Sequence, residues 1–503
     1  MSHNMNPFDF VPFASKPLLK SDKEWLESGP LQTGYLELQI EALTPLHIVG
    51  EQKADETVPT LPRELAERKK NYKIQYSRFY KRHEKAFIPA ASIRGLLRAF
   101  IEVACNGWAS QMTPFYPQEK TKHRMGFSVI DASEELEKEN ATNKVDRELP
   151  LALPEDYVPH HPSAQGKIDL ASFLFGYIPK EKKKEGWHGR ILIEDAPIAA
   201  ENLSGVTGPH RMPDVEDSAF MGGPHPSASS WWYQKPYMIQ VRPMPNFNII
   251  DFIGAVYRGR KFYYHQDPAA CVDWYLDAAH WKPRDGHPIY TFPVECLEAG
   301  KSTDKFRLYF EDLPEALLNL LLLTLQPGNR LHHKLGYGKA YGFGSITFSL
   351  ANAFIREKGK AGASAFDVKA KQDSIQQALW QKDKLGQLGL GALLHFPSLD
   401  KLAQVLWHEP PLTQKFTYPP FEGGGGFTPI VREQDIRAVL NADLAEELFE
   451  EKKLKLNEDK NEARGIAEKL ARQGRRPALH FEVYQRNSDD YATIEKRLLQ
   501  NAR

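Results

Sequence analysis

Phe306-Arg307-Leu308-Tyr309-Phe310, a leucine-rich run from Pro314 to Leu325, then Lys334-Leu335-Gly336-Tyr337-Gly338-Lys339-Ala340-Tyr341-Gly342-Phe343-Gly344 leading into Ser345-Ile346-Thr347-Phe348-Ser349-Leu350 is the most regular stretch of the chain. The alternation at 306–310 predicts a strand. Pro314 opens a helix, because a proline is tolerated in the first turn, where its missing N–H would find no partner anyway. Pro327-Gly328-Asn329 marks a turn. The glycine-rich segment then enters a second strand directly.

Working outward, Tyr35-Leu36-Glu37-Leu38-Gln39-Ile40-Glu41-Ala42-Leu43 places Leu36, Leu38, Ile40 and Ala42 on one face of a half-buried strand. In Ala91-Ser92-Ile93-Arg94-Gly95-Leu96-Leu97-Arg98-Ala99-Phe100-Ile101, the residues Ile93, Leu96, Leu97, Phe100 and Ile101 fall at helical spacing, with Ser92 as the expected N-cap. Asp169–Ile178 reads as a short helix turning at Gly176, and Gly189–Pro197 as a strand that stops at proline. Strand-like pieces follow near Tyr237–Val241 and Arg260–Tyr264. The sum is an α+β chain with a β-α-β-β-α-β, ferredoxin-like (RNA-recognition-type) core. On this reading residues 1–34 are an extended arm. Residues 35–350 are the core domain, with insertions near 51–86, 106–166 and 200–300. Residues 351–503 form a mostly helical C-terminal region, in which Ala438–Ala471 reads as a charged helix.

The chain has 503 residues, with 65 Lys+Arg against 65 Asp+Glu and 41% hydrophobic residues. That composition excludes global disorder and a global polyelectrolyte field. A nucleic-acid site on such a protein must be a local basic patch. Cys105, Cys271 and Cys296 are far apart and form no C-x-x-C pair, which argues against a disulfide framework or a structural zinc. No apolar run is long enough to span a bilayer. The expectation is a soluble protein of a reducing cytoplasm with no membrane partner.

Three groups of residues could carry chemistry. The segment Gly336-x-Gly338-x-x-x-Gly342-x-Gly344, with Lys334 and Lys339, lets backbone N–H groups approach an anion. It equally reads as a glycine-rich turn before an edge strand, and it is neither a Walker A nor a dinucleotide fingerprint. The run Arg63–Lys85 is basic, with Lys69, Lys70 and Lys73 at its centre and Tyr72, Tyr76, Phe79 and Tyr80 interleaved. Such a run fits single-stranded RNA, or else a solvated face anchored by its aromatics. His47 and Asp55 flank the turn after the first strand; Asp55 could position a metal or a 2′-hydroxyl, and His47 could serve as a base. The pairs His160-His161 and His332-His333 are adjacent and cannot share a helical face, so no metal ligands are assigned.

Five stretches in order resemble the RAMP superfamily, the repeat-associated proteins of CRISPR–Cas type III effector complexes. They are Leu43-Thr44-Pro45-Leu46-His47-Ile48-Val49-Gly50, Ile88-Pro89-Ala90-Ala91-Ser92-Ile93-Arg94-Gly95-Leu96-Leu97-Arg98, Leu174-Phe175-Gly176-Tyr177, Gly189-Arg190-Ile191-Leu192-Ile193-Glu194-Asp195-Ala196, and the glycine-rich loop. The resemblance implies a ferredoxin-like core that binds CRISPR RNA within a multi-subunit antiviral complex. Its partners would be target RNA and other CRISPR-associated subunits. It gives Ser92, Arg94, Arg98, Lys339 and the loop glycines a role facing the guide backbone. Asp55 is the nearest match to the aspartate with which relatives cut target RNA, and only that activity would call for a cofactor, a divalent metal ion. Two other readings stay open: a stand-alone, metal-independent endoribonuclease that processes CRISPR transcripts, and a scaffold unrelated to RNA.

Overall fold

The structure, a computed structural model, describes residues 7–27, 29–50, 76–110, 164–177, 186–213, 256–276, 291–328, 330–358, 367–378 and 382–412. It also describes short pieces at 112–115, 124–127, 155–157, 159, 233–234, 238–243, 248–253, 364–365 and 483–484. The chain divides into two compact units. The first comprises Met1–Trp108, Pro162–Gly222 and Arg260–Pro420; the second comprises Ala109–His161, Gly223–Gly259 and Phe421–Arg503.

The first unit is built on β1 (Leu31–Ala42), whose burial alternates as its sequence does. Leu36, Leu38, Ile40 and Ala42 are buried, and Tyr35, Glu37, Gln39 and Glu41 lie on the opposite face. In chain order there follow β2 (Lys85–Ile88), α1 (Ala90–Ala104), α2 (Leu170–Phe175), β3 (Ile191–Ile193) and β4 (Ala196–Ile198). Then come β5 (Phe306–Pro314), α3 (Glu315–Leu325), β6 (His333–Lys334), β7 (Ser345–Glu357) and α4 (Phe396–Val405). The main sheet has the order β6-β7-β1-β5-β3 with every neighbouring pair antiparallel, and Ser364–Ala365 adds to β7. Chain and sheet therefore combine mixed helix and strand content in an α+β arrangement.

The buried face of the sheet shares one core with α1 and α3. On α1 the buried Ile93, Leu97, Phe100, Ile101 and Ala104 form one stripe at helical spacing, and Glu102 and Val103 are buried beside it. In α3, Leu317 to Leu325 is buried on every side, as a helix without a polar face must be. Its two polar members each donate one hydrogen bond: Asn319 Nδ2 to Leu388 O at 2.9 Å and Thr324 Oγ1 to Leu320 O at 2.8 Å. The core continues past residue 350, taking in Leu385, Leu390, Leu394, Leu399, Leu402 and Leu406. On the other face of the sheet, Leu192, Tyr309, Tyr35 and Phe354 stand in register across four adjacent strands. Tyr35 stacks on Phe354 at 5.0 Å, and the Arg307 guanidinium lies 4.8 Å over Tyr35.

The sequence expectations change at three places. Ser92 is not the N-cap of α1: the helix begins at Ala90 after Pro89, which has no capping side chain, and the cap comes from Asp195, whose Oδ1 accepts from Ala90 N at 2.8 Å. The strand from residue 189 does not stop at Pro197, because β4 resumes through it and pairs Pro197 with Phe87. A proline is accommodated there because β4 is an edge strand of its three-stranded sheet. The N-terminal arm is not merely extended; Phe8–Val11 pairs antiparallel with Arg260–Tyr263, and a helical turn, Asp22–Leu26, carries a capping box from Ser21 to Glu24. The C-terminal region is helical at Val368–Ala378, Lys382–Gln387 and α4, whereas the helix expected at Ala438–Ala471 lies outside the described residues.

The second unit contains a hairpin of Met112–Phe115 with Arg124–Phe127, and another of Met238–Pro243 with Asn248–Ile253, to which Val483–Tyr484 pairs in parallel. No helix among the described residues is long and apolar enough to cross a membrane. The three cysteines are buried and unbridged.

Candidate nucleic-acid interface

The glycine-rich loop is held by the turn that follows β1. Thr44 Oγ1 donates to Gly342 O at 2.8 Å and accepts from Ser345 N at 3.0 Å. Gly344 N donates to Pro45 O at 2.9 Å, and Tyr337 N to His47 O at 2.8 Å. Gly336, Gly338, Gly342 and Gly344 all have positive φ, and three of them meet backbone at close range. A Cβ on Gly336 would strike His47 O, one on Gly342 would lie 2.5 Å from Gln266 O, and one on Gly344 would overlap Leu335 O. At Gly338 the obstacle is only the end of the Met212 side chain. These glycines therefore let the chain's own strands approach one another.

The loop lysines serve the same packing. Lys334 Nζ donates to Gly342 O at 2.8 Å and to Phe343 O at 2.9 Å, and burial holds its amine well below the usual lysine range. Lys339 Nζ donates to Gly336 O at 2.6 Å and lies 5.7 Å from the Tyr263 ring.

His47 is 0% exposed. Its Nδ1 donates to Glu295 O at 2.7 Å, because a carbonyl can only accept, and its Nε2 then accepts from Ser77 Oγ at 2.8 Å. Burial lowers its pKa to about 4. As placed, the ring has no free nitrogen for a reacting group, and its work is to join the first turn to residues 77 and 295. Glu295, which sequence reasoning did not single out, is the second half of that joint: its carboxylate accepts from Phe79 N at 2.9 Å and pairs with Lys81 at 3.2 Å.

A second mesh joins the other three stretches. Arg94 donates to Phe175 O, while Arg98 donates to Gly176 O at 2.7 Å and Ser172 Oγ at 3.1 Å and pairs with Glu102 at 2.8 Å. Gly176 and Gly189 pack so closely that a Cβ on Gly176 would lie 2.7 Å from Gly189 N. Tyr177 and Trp187 exchange backbone hydrogen bonds, and Arg190 N donates to Leu174 O at 2.8 Å. Asp195 then caps α1 and meets Arg82 at 3.5 Å. The capping role was signalled only by the acidic pair, Glu194-Asp195, at the end of its strand.

The solvent side of this mesh carries Ser92, half-buried, Arg94, exposed, and the exposed cations Arg82 and Lys85 of the hairpin Lys81–Ile88. That hairpin is the described end of the basic run. Lys69, Lys70, Lys73 and Asp55 lie outside the described residues. Among the described residues no cluster of His, Cys, Asp or Glu is placed to hold a metal ion.

The profile of the RAMP superfamily matches residues 39–347. The chain belongs to the RAMP superfamily. A comparison with curated proteins finds no match. The matched region of this RAMP protein begins inside β1 and ends inside β7, so it contains both meshes in full.

Gly344→Ala is expected to lower stability by several kcal/mol, since backbone must move, whereas Gly338→Ala should lose only about 1–2 kcal/mol for the left-handed conformation. Thermal melts of the two variants check this ranking; equal losses would show that the loop is not close-packed. A second expectation concerns acid. His47, His333 and His408 all sit near pKa 4 in the fold because they are buried, against 6.5 when unfolded. The unfolded chain therefore binds more protons below pH 6.5, and stability present above that pH is lost as pH falls towards 4, on the order of 3 kcal/mol for His47 alone. Urea midpoints across that window should fall steeply; a flat profile would mean the rings titrate in the folded state.

Proposed function

We propose that this RAMP protein binds CRISPR RNA as a subunit of a cytoplasmic type III CRISPR–Cas effector complex in antiviral defence. The superfamily match over residues 39–347 carries the reading. The sheet order supports a ferredoxin-like core, since strand, helix, strand, strand, helix, strand in the chain (β1, α1, β3, β5, α3, β7) corresponds to β7-β1-β5-β3 in space. Guide RNA then tracks cations at the start of α1 and on the preceding hairpin. Ser92, Arg94, Arg82 and Lys85 would meet it in the described part, and Lys69, Lys70 and Lys73 would extend the same strip. In this reading the loop glycines, with Lys334, shape the surface that RNA meets. Arg98 holds Arg94's neighbourhood in place, and Lys339 keeps an amine beside the loop.

The hydrogen bonds of His47 count against the endoribonuclease alternative. General-base work requires a nitrogen within reach of the substrate hydroxyl, and both nitrogens of His47 are committed inside the protein. Target-RNA cleavage by the assembled complex is a separate proposal that rests on Asp55 and a divalent metal ion.

Native purification of the tagged protein should recover repeat-derived RNA together with partner proteins; recovery of neither would overturn the reading. Replacing Lys69, Lys70 and Lys73 by Ala should weaken binding across RNA sequences and reduce the salt slope by roughly 0.7 for each lost phosphate contact. An unchanged slope would make the run a solvated face. For cleavage, Asp55→Ala is expected to abolish metal-dependent cutting of a complementary RNA while guide binding stays intact, and equal cutting by both complexes would remove Asp55 from the mechanism.

A further inference from the structure

The 200–300 insertion contributes a strand, Arg260–Tyr263, that pairs with Phe8–Val11 next to the glycine-rich loop. Alternation sorts the side chains of this two-stranded ribbon onto two faces. On one face lie Phe8, Phe10, Lys261 and Tyr263, with Phe8 opposite Tyr263 and Phe10 opposite Lys261. On the other face lie Asp9, Val11, Arg260 and Phe262; Asp9 is held there by Lys401 at 2.7 Å and Tyr264 Oη at 3.0 Å. The ribbon's acid is thereby kept away from the face that carries Lys261.

Onto that first face comes Lys339 from the loop. Its ammonium lies 5.7 Å from the centre of the Tyr263 ring, and that of Lys261 lies 4.8 Å from the same centre and 3.8 Å from Phe8. Two ammonium groups thus lie near one aromatic ring. Lys339 has three N–H donors and uses one, on Gly336 O; among the described residues it has no carboxylate partner. Burial, with Lys261 adding to it, depresses the charged form of this amine. A withdrawn ammonium with unused donors and a like charge beside it is unfavourable until an anion arrives. Tyr263 is half-buried and so keeps part of its surface outward.

We propose that Lys261, Lys339 and Tyr263 form a binding site for one nucleotide of single-stranded RNA, with a backbone phosphate held by the two ammonium groups and the adjoining base stacked on Tyr263. This rests on the RNA-binding reading above and adds to it a site supplied by the insertion strand. The chemistry requires a phosphodiester for the lysines and a π-face for the tyrosine, and single-stranded RNA supplies both at adjacent positions.

The test uses the full-length protein freed of copurified RNA and a short mixed-sequence single-stranded RNA as probe. Lys261→Ala should weaken binding and reduce the salt slope by roughly 0.7. Tyr263→Leu should weaken binding roughly 5- to 150-fold, while Tyr263→Phe, which keeps the ring, should bind as wild type does. Ultraviolet crosslinking of the wild-type complex should mark Tyr263, a readout that does not depend on any variant folding. Wild-type affinity and slope in both Lys261→Ala and Tyr263→Leu, with no crosslink at Tyr263, would overturn the site and leave the RNA-binding reading standing. No binding by the wild-type protein would overturn both. Inorganic phosphate that saturates the wild-type protein, together with loss of RNA binding in Lys261→Ala but not in Tyr263→Leu, would show a simple anion site and overturn the nucleotide assignment.

Discussion

The structure depends on how closely two backbones approach at the glycine-rich loop. Gly344 lies against the Leu335 carbonyl with no room for a methyl group, and Gly336 lies in the same way against His47. Once these approaches are made, the Thr44 hydroxyl bridges Ser345 N and Gly342 O, and the turn after β1 is fixed to the start of β7. Because β1 is the middle strand of the sheet, this junction sets the register from which β5 and β3 are also measured. A side chain at either glycine would move the turn, and His47 with it, away from Ser77 and Glu295.

The same economy of contact explains why the five family stretches fall into two groups. The first and last mesh through backbone hydrogen bonds and glycines. The middle three mesh through guanidinium groups, with Arg94 and Arg98 satisfying the carbonyls at the end of α2 and Asp195 satisfying an orphan N–H at the start of α1. Helix termini carry unpaired backbone groups whatever the sequence, and here two termini are completed by side chains from elsewhere in the unit. That leaves the outer surface of α1's first turn, and the hairpin before it, to carry charge outward.

How much was legible in the sequence follows from the range of each interaction. The strands at 35–43, 306–310 and 345–350 and the helices at 91–101 and 314–325 are local periodicities, and they stand where periodicity put them. Ser92 reads as a cap because a serine before an apolar run usually is one; Asp195, a hundred residues on, could not compete in a local reading. His47 reads as a titrating base by residue type and position after the first strand, although it lies between the apolar Leu46 and Ile48, while its hydrogen-bond partners come from residues 77 and 295. Lys334 reads as a surface cation by residue type, and it turns inward to donate to two carbonyls of the tight loop, Gly342 O and Phe343 O. Lys261 and Tyr263 give no sequence signal beyond an alternating pair, and their setting arises only when the insertion folds back on the arm. The basic run from Arg63 to residue 75 and Asp55 lie outside the described residues, so they remain readings of residue type.

The order of strands also has a consequence for how the chain is made. β1 is complete by residue 42, yet its neighbours in the sheet begin at residues 306 and 345. At ~5–20 residues per second, translation leaves this strand without either neighbour for on the order of tens of seconds. Throughout that interval Leu36, Leu38 and Ile40 present an apolar edge to the cell. α1 and α2 can already dock through Arg94 and Arg98, since both are synthesised by residue 176, so the nascent chain holds a small helical nucleus beside an unpaired strand. Until β5 and β7 are made, that strand has no neighbour in its sheet.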